Sequence, residues 1–265
     1  MIWQRWRALK RAGVLGINRR NADFIMPLNP RRNYPLVDNK ILTKELALQH
    51  DVPVPELYGV ISTPHGIRAL PALLGERRDF VLKPAQGSQG DGILVIVDRH
   101  KGRYRTAGGR LLDWGDLEHH LTNALSGQFS LGGLPDQVMV EYRVRFDPVF
   151  DEVSFQGVPD LRVIVYRGYP AMCMVRLPTR QSEGKANLHQ GAVGAGIELA
   201  TGLTLPAVGP GNSVVDEHPD TGAPISGRTI PHWPQVLLMA ARCYELTGLG
   251  YLGADIVLDA ERGPL

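Results

Sequence analysis

The sequence predicts an α+β protein in which strands pair mainly as antiparallel hairpins instead of alternating regularly with helices. Three observations carry this. Phe80–Leu82 and Ile93–Val97 are apolar, strand-like runs on either side of a loop holding Gly87, Gly90 and Gly92. Leu161–Tyr166 and Ala171–Leu177 form a second such pair, turned at R-G-Y-P. Only a few helical stretches stand between them, the clearest being Pro234–Thr247, with Leu237, Ala240, Ala241 and Tyr244 on one face and Gly248 as its stop.

The remaining elements follow in chain order. Residues 1–37 form a basic arm that opens with M-I-W-Q-R-W-R-A-L-K-R, a helix candidate with Trp3, Trp6 and Leu9 along one side. Such a segment can lie on a membrane surface. The expectation here is a helix docked on the body by its tryptophans. A helix then starts at Asp38, read as its N-cap, and ends before V-P-V-P, where proline disfavours helix. Glu56–Ile61 is extended, residues 65–75 are modestly helical, and Arg110–Leu125 is a loop followed by a helix. Gln137–Val144 is a strand ending in charged residues. The stretch from Pro178 to Gly196 has no periodicity and reads as a functional or mobile loop. Y-L-G-A-D-I-V-L-D, from Tyr251, is a final strand.

Composition excludes several classes. The chain has 265 residues, 43% hydrophobic and 21% charged, with a net charge of +2, so nothing global points to nucleic acid. Its two cysteines, Cys173 and Cys243, sit in apolar patterns and read as buried thiols of a reducing compartment. No apolar run is long enough for a transmembrane segment and no signal-peptide core is present, which makes cytoplasmic the default.

The glycine loop holds the chemistry. Lys83 ends the strand before it, and glycine lets backbone N–H groups come close to a ligand. A row of N–H groups beside an ammonium suits a chain of phosphates. The Walker pattern is absent, and the loop leads into a strand, whereas a dinucleotide G-x-G-x-x-G opens a helix. The loop alone reads equally as an ordinary turn beside a solvated lysine.

D-N-K-I-L-T-K followed by V-P-V-P, F-V-L-K-P with its glycine loop, V-M-V-E-Y, D-L-R-V-I-V, N-L-H-Q-G-A-V-G and G-A-D-I-V-L occur in this order. Together they resemble the ATP-grasp superfamily, in its glutamate ligase-like and sugar-transfer-associated branches. The resemblance covers residues 38–265. It implies two α+β lobes with ATP between their sheets, the smaller lobe spanning about residues 55–142 and the larger one the remainder. It also implies a reaction in which ATP phosphorylates a carboxylate and an amine attacks the acylphosphate to form an amide. The substrates would be a small-molecule or peptide carboxylate and an amine, with glutamate one candidate, and the cofactors ATP and Mg²⁺. Relatives are often oligomeric, which leaves a homo-oligomer open.

Carried over by position, Lys40 and Lys83 would neutralise phosphates, with Ser88, Gln89, Gly90 and Gly92 closing over them. Glu141, Tyr142 and Val144 would form the hinge against adenine, and Asp147 would hold the ribose. Arg162 and Arg176 would grip the γ-phosphoryl group, Asn187 would face the reaction centre, and Asp255 would ligate magnesium. Other readings stand beside these. Lys40 and Lys44 equally form a solvated helix face, Arg162 the exposed side of a strand, and His189 an ordinary loop residue. Asp255, in mid-strand among apolar residues, is expected to need a partner or a metal. Relatives carry a full domain before the D-N-K helix and an E-x-N pair after the last strand. Neither is present, so the chain is expected to be truncated. Two further readings keep the fold: an ATP-grasp kinase, and a nucleotide-binding or scaffold protein without catalysis.

Overall fold

Period-2 burial organises the molecule into two six-stranded antiparallel sheets, each with its own core. The computed structural model describes residues 2–87, 90–130 and 132–265, the side chains of residues 2 and 5 excepted. The first sheet contains β1 (Leu57–Ile61), β2 (Phe80–Pro84), β3 (Leu94–His100), β4 (Arg103–Thr106), β5 (Leu111–Leu112) and β6 (Val138–Glu141), in the order β1-β6-β2-β3-β4-β5. The second contains β7 (Asp160–Tyr166), β8 (Tyr169–Leu177), β9 (Val193–Ile197), β10 (Thr204–Val208), β11 (Val214–Val215) and β12 (Tyr251–Ile256), in the order β11-β10-β9-β8-β7-β12. A short ladder of β13 (Leu258–Asp259) with β14 (Gly263–Pro264) follows.

In the first sheet, Phe80, Leu82, Val138 and Val140 point to one side and pack on Leu117, Leu121 and Leu125 of helix Trp114–Leu125. That helix starts with a capping box between Asp113 and Asp116. Pleating then sends Val81, Lys83, Met139 and Glu141 to the opposite side, where helix Lys40–Gln49 lies. In the second sheet, Leu161, Val163 and Val165 face Val236 and Ala240 of helix Trp233–Thr247, each fully buried side chain contributing about 1.5–3 kcal/mol. The same alternation leaves Asp160, Arg162 and Arg176 on the other face, where Phe24 of the N-terminal arm packs on Tyr166 at one end.

The α+β expectation and both hairpins hold: Phe80 pairs with Ile96 and Leu161 with Val175. Several details differ. Asn39, not Asp38, caps helix Lys40–Gln49, its Oδ1 accepting from the Ile41 and Leu42 N–H groups at 2.9 and 3.4 Å. The strand from Gln137 ends at Glu141, since Tyr142 already turns to bond the Glu56 carbonyl. The buried stripe of the last helix is Trp233, Val236, Ala240 and Thr247, and Tyr244 lies off it, 37% exposed with its ring against Gly168. Most of the aperiodic loop is irregular, but its glycine- and alanine-rich end forms β9.

The N-terminal helix departs most. Helix Ile2–Arg11 forms, yet Trp3, Trp6 and Leu9 are 77%, 54% and 53% exposed and are buried against none of the described residues. Asparagines attach the arm instead. Asn29 acts as a strand neighbour for Tyr251, donating to its carbonyl at 2.7 Å and accepting from its N–H at 2.9 Å. Asn33 bonds the carbonyl of Thr247 at the end of the last helix, and Phe24 packs edge-on against Tyr166.

Candidate nucleotide and phosphoryl-transfer site

The first half of the site is a charge cluster beneath the glycine loop. Lys44 and Glu141 are buried, with side chains 7% and 3% exposed, and their charged groups lie 2.8 Å apart. Lys83 pairs with the other Glu141 oxygen, and Lys44 also donates to the Pro55 carbonyl. The reading of Lys44 as a solvated helix residue is therefore corrected: it lies one turn from Lys40 on the face turned to the sheet. Glu141 likewise offers its carboxylate to two lysines instead of standing only as hinge backbone. Burial alone would raise its pKa, but Lys83 and Lys44 overcome this and hold it below the ordinary range. Burial lowers the pKa values of Lys44 and Lys40.

The sign of the pH effect follows. A depressed Glu141 pKa contributes stability that is present above its unfolded value, roughly pH 4.3, and is lost as pH falls through the folded value. Asp259, also depressed, acts in the same direction. Melting temperature followed against pH is expected to drop steeply in acid. Glu141→Gln should flatten part of that drop and cost about 3–5 kcal/mol at neutral pH, because it leaves Lys44 buried without its counter-charge. Equal acid limbs in both proteins would show that this pair does not set acid stability.

Lys40 reaches over the start of the glycine loop, donating to the Gly87 carbonyl and, at 3.4 Å, to that of Ala85. Asp136, not foreseen from sequence, anchors the same turn by accepting from the Gln86 and Gln137 N–H groups at 2.9 and 2.7 Å. Gly92 is required sterically, since a Cβ there would lie 2.5 Å from the Phe129 ring at a φ of +73°. Gly90, with φ +81°, has open space around it. Ser88 and Gln89 lie outside the described residues.

After β6 the chain crosses between the sheets. The N–H groups of Tyr142, Arg145 and Asp147 bond Glu56 O, Asp259 Oδ2 and Leu258 O at 2.8, 2.9 and 2.9 Å. Among the described residues, no main-chain hydrogen bond ties down Arg143 or Val144, so that part of the crossing keeps free donors and acceptors. The Arg262 guanidinium stacks 3.8 Å from the Tyr142 ring centre, and burial pushes the Tyr142 hydroxyl up to about 12. Asp147 caps the turn Pro148–Val153 by accepting from Val149 N–H at 2.9 Å, so a ribose would have to share that carboxylate.

The second half lies on the face of the second sheet turned away from helix Trp233–Thr247. Antiparallel register sets Asp160 opposite Arg176, and Arg162 opposite Asp255. Arg176 grips Asp160 with both arms of its guanidinium, the Nε contact being 2.6 Å, and reaches Asp255 at 3.0 Å. Arg162 donates to Asp255 at 2.9 Å. Two arginines and two carboxylates thus form one network on this face of the sheet. Burial and the neighbouring Asp255 raise the Asp160 pKa despite its contact with Arg176. Asp255 is not a buried carboxylate: its side chain is 47% exposed, and two arginines supply the partners that mid-strand position demanded. Asp160 was missed in sequence, although it lies two residues before Arg162 and so on the same strand face.

Asn187 spends its side-chain oxygen on the His189 N–H at 3.0 Å, which shapes the loop. Leu188 of that loop lies over Gly194, the residue paired with Arg176. Lys185 reaches 3.7 Å from Asp91 of the glycine loop. The loops of the two sheets therefore meet, with Lys40 and Lys83 in one part and Arg162 and Arg176 in the other.

This donor set fits a polyphosphate: two ammonium groups, two guanidinium groups and a glycine loop, with few free carboxylates. It does not form a metal site by itself, because among the described residues no three His, Cys, Asp or Glu side chains cluster for a metal. A magnesium ion would take Asp255 and fill its other positions from phosphate and water.

Comparison with known proteins found similar solved structures and one matching family. Structural matches include the ATP-grasp ligase PsnB with its minimal precursor (16% identity, 89% of this chain and 52% of that chain, TM-score 0.42). Others are the D-cycloserine synthetase DcsG (13%, 90% and 63%, TM-score 0.44) and a D-alanine–D-alanine ligase from Bacillus anthracis (12%, 86% and 54%, TM-score 0.42). The chain spans about half the length of the first of these. No curated protein matches in sequence. The family described as sugar-transfer associated ATP-grasp matches residues 19–265, nearly the whole chain, and this chain belongs to it.

Proposed function

We propose that the chain carries an ATP-dependent carboxylate–amine ligase site that works through an acylphosphate. The observation that supports this best is the division of cations: Lys40 and Lys83 beside the glycine loop, Arg162 and Arg176 on the second sheet. The lysines and the loop would hold the α- and β-phosphates, and the main chain at Arg143 and Val144 would meet the adenine edge. ATP, when bound, supplies the phosphoryl group that activates a substrate carboxylate. Arg176 and Arg162 would grip the transferring group and neutralise its charge, which is the electrostatic work such a transfer needs. The amine then attacks the acyl carbon, phosphate leaves, and the amine proton passes to solvent. Asn187 would face this centre through its amide N–H₂, its oxygen being held by His189 N–H. No side-chain nucleophile is required. Arg180 and Lys185, on the loop above Arg176, would favour an acidic substrate such as glutamate or an acidic peptide.

ADP release tests the reading. It is expected only when a carboxylate and an amine are both present, with loss of phosphate and gain of an amide. ADP release without an amine, with a stable phosphorylated product, would make the protein a kinase. A second reading, a nucleotide binder without turnover, is favoured by Asp255 already being shared between two arginines. Tight ATP binding with no ADP release for any carboxylate–amine pair would establish it.

A further inference from the structure

The N-terminal arm lies outside the proposed nucleotide site and has a charge of its own. Residues 1–37 hold eight arginines and lysines against a single acid, Asp23, although the whole chain is only +2. The excess positive charge is thus confined to this end, and the rest of the chain is net acidic. On helix Ile2–Arg11 the indoles of Trp3 and Trp6 and the side chain of Leu9 face solvent, and the Lys10 ammonium lies 5.3 Å above the Trp6 ring. Val14, Leu15, Ile17 and Met26 continue the exposed apolar surface along the arm. Such a surface needs a partner that supplies both negative charge and an apolar layer.

We propose that residues 2–26 dock this protein on an anionic lipid bilayer, with the helix lying in the interface. Tryptophan sits at the headgroup level of bilayers, and basic side chains beside it meet anionic headgroups. The aliphatic part of the surface argues against nucleic acid, whose contacts are phosphates and flat base faces. The attachment point extends the same surface. Phe24 packs on Tyr166, beside the β7–β8 turn where Arg167 and Tyr169 are exposed, with Met172 exposed further along β8. That turn would meet the headgroups together with the arm. The proposal is independent of the ligase reading.

Co-sedimentation with vesicles tests it. The chain is expected to bind vesicles containing about a third phosphatidylserine at least about tenfold more tightly than pure phosphatidylcholine vesicles, and to be released by high salt. Two variants should each lose most of this binding: Trp3→Ala with Trp6→Ala, and Arg7→Glu with Lys10→Glu and Arg11→Glu. Their melting temperature should stay that of the parent, because the helix lies outside both cores. Absence of vesicle binding, binding unaffected by either set, or retention on polyglutamate or RNA but not on vesicles would overturn the proposal. The salt and lipid dependence of the parent chain decide the matter even if a variant fails to fold.

Discussion

Lys83→Ala is expected to weaken binding of Mg·ATP by roughly 30- to 1,000-fold, read by calorimetric titration beside the parent chain. The size follows from where the ammonium sits. Lys83 ends β2 at the mouth of the glycine loop, is 30% exposed, and faces Glu141. Arriving phosphates would meet a lysine already placed by a buried carboxylate, so little ordering cost remains to be met on binding. The substitution should spare the fold, because Lys44 still neutralises Glu141 at 2.8 Å after Lys83 is gone. Lys44→Ala should behave in the opposite way, lowering the melting temperature strongly while leaving the Lys83 charge in place. Equal ATP affinity in the parent and in Lys83→Ala would remove the glycine loop from the nucleotide site.

Much of this arrangement could be read in the sequence, for a physical reason. Strand pairs flanked by glycine and proline are local signals, and the F-V-L-K-P and L-R-V-I-V runs fix their own inner and outer faces by alternation. What could not be read depended on contacts distant in sequence. Lys44 looked like any second lysine on a helix, since only the fold brings Glu141, 97 residues later, to its ammonium. Asp255 looked like a buried charge because its neighbours are apolar. Its strand lies at the sheet edge, its side chain is 47% exposed, and both arginines come from other strands. The arm misled for a different reason. Tryptophans on a basic helix imply burial against something, and composition cannot say that asparagines, through Asn29 and Asn33, do the attaching.

Arg176→Lys is expected to erase selectivity for the γ-phosphate. In the parent chain, a non-hydrolysable ATP analogue should bind at least about tenfold more tightly than ADP, because the Arg176 and Arg162 guanidinium groups would contact the additional phosphoryl group. Lysine keeps the charge but has no planar fork, and so cannot hold Asp160 with two donors while reaching another oxygen. The ratio should fall towards one while ADP affinity changes little, since the lysines under the glycine loop are untouched. Where turnover is measurable, kcat should drop about 100- to 1,000-fold, the usual cost of removing one charge-stabilising donor. Asp160→Asn supplies the control. It removes one of the two carboxylates on Arg176 and leaves the other, Asp255 at 3.0 Å, so the guanidinium stays charged and in place. That variant should retain the preference for the triphosphate. If Arg176→Lys also retained it, the arginine would serve only to knit the sheet face through Asp160 and Asp255. The γ-phosphate would then have to be held by the remaining cations, Arg162 first among them.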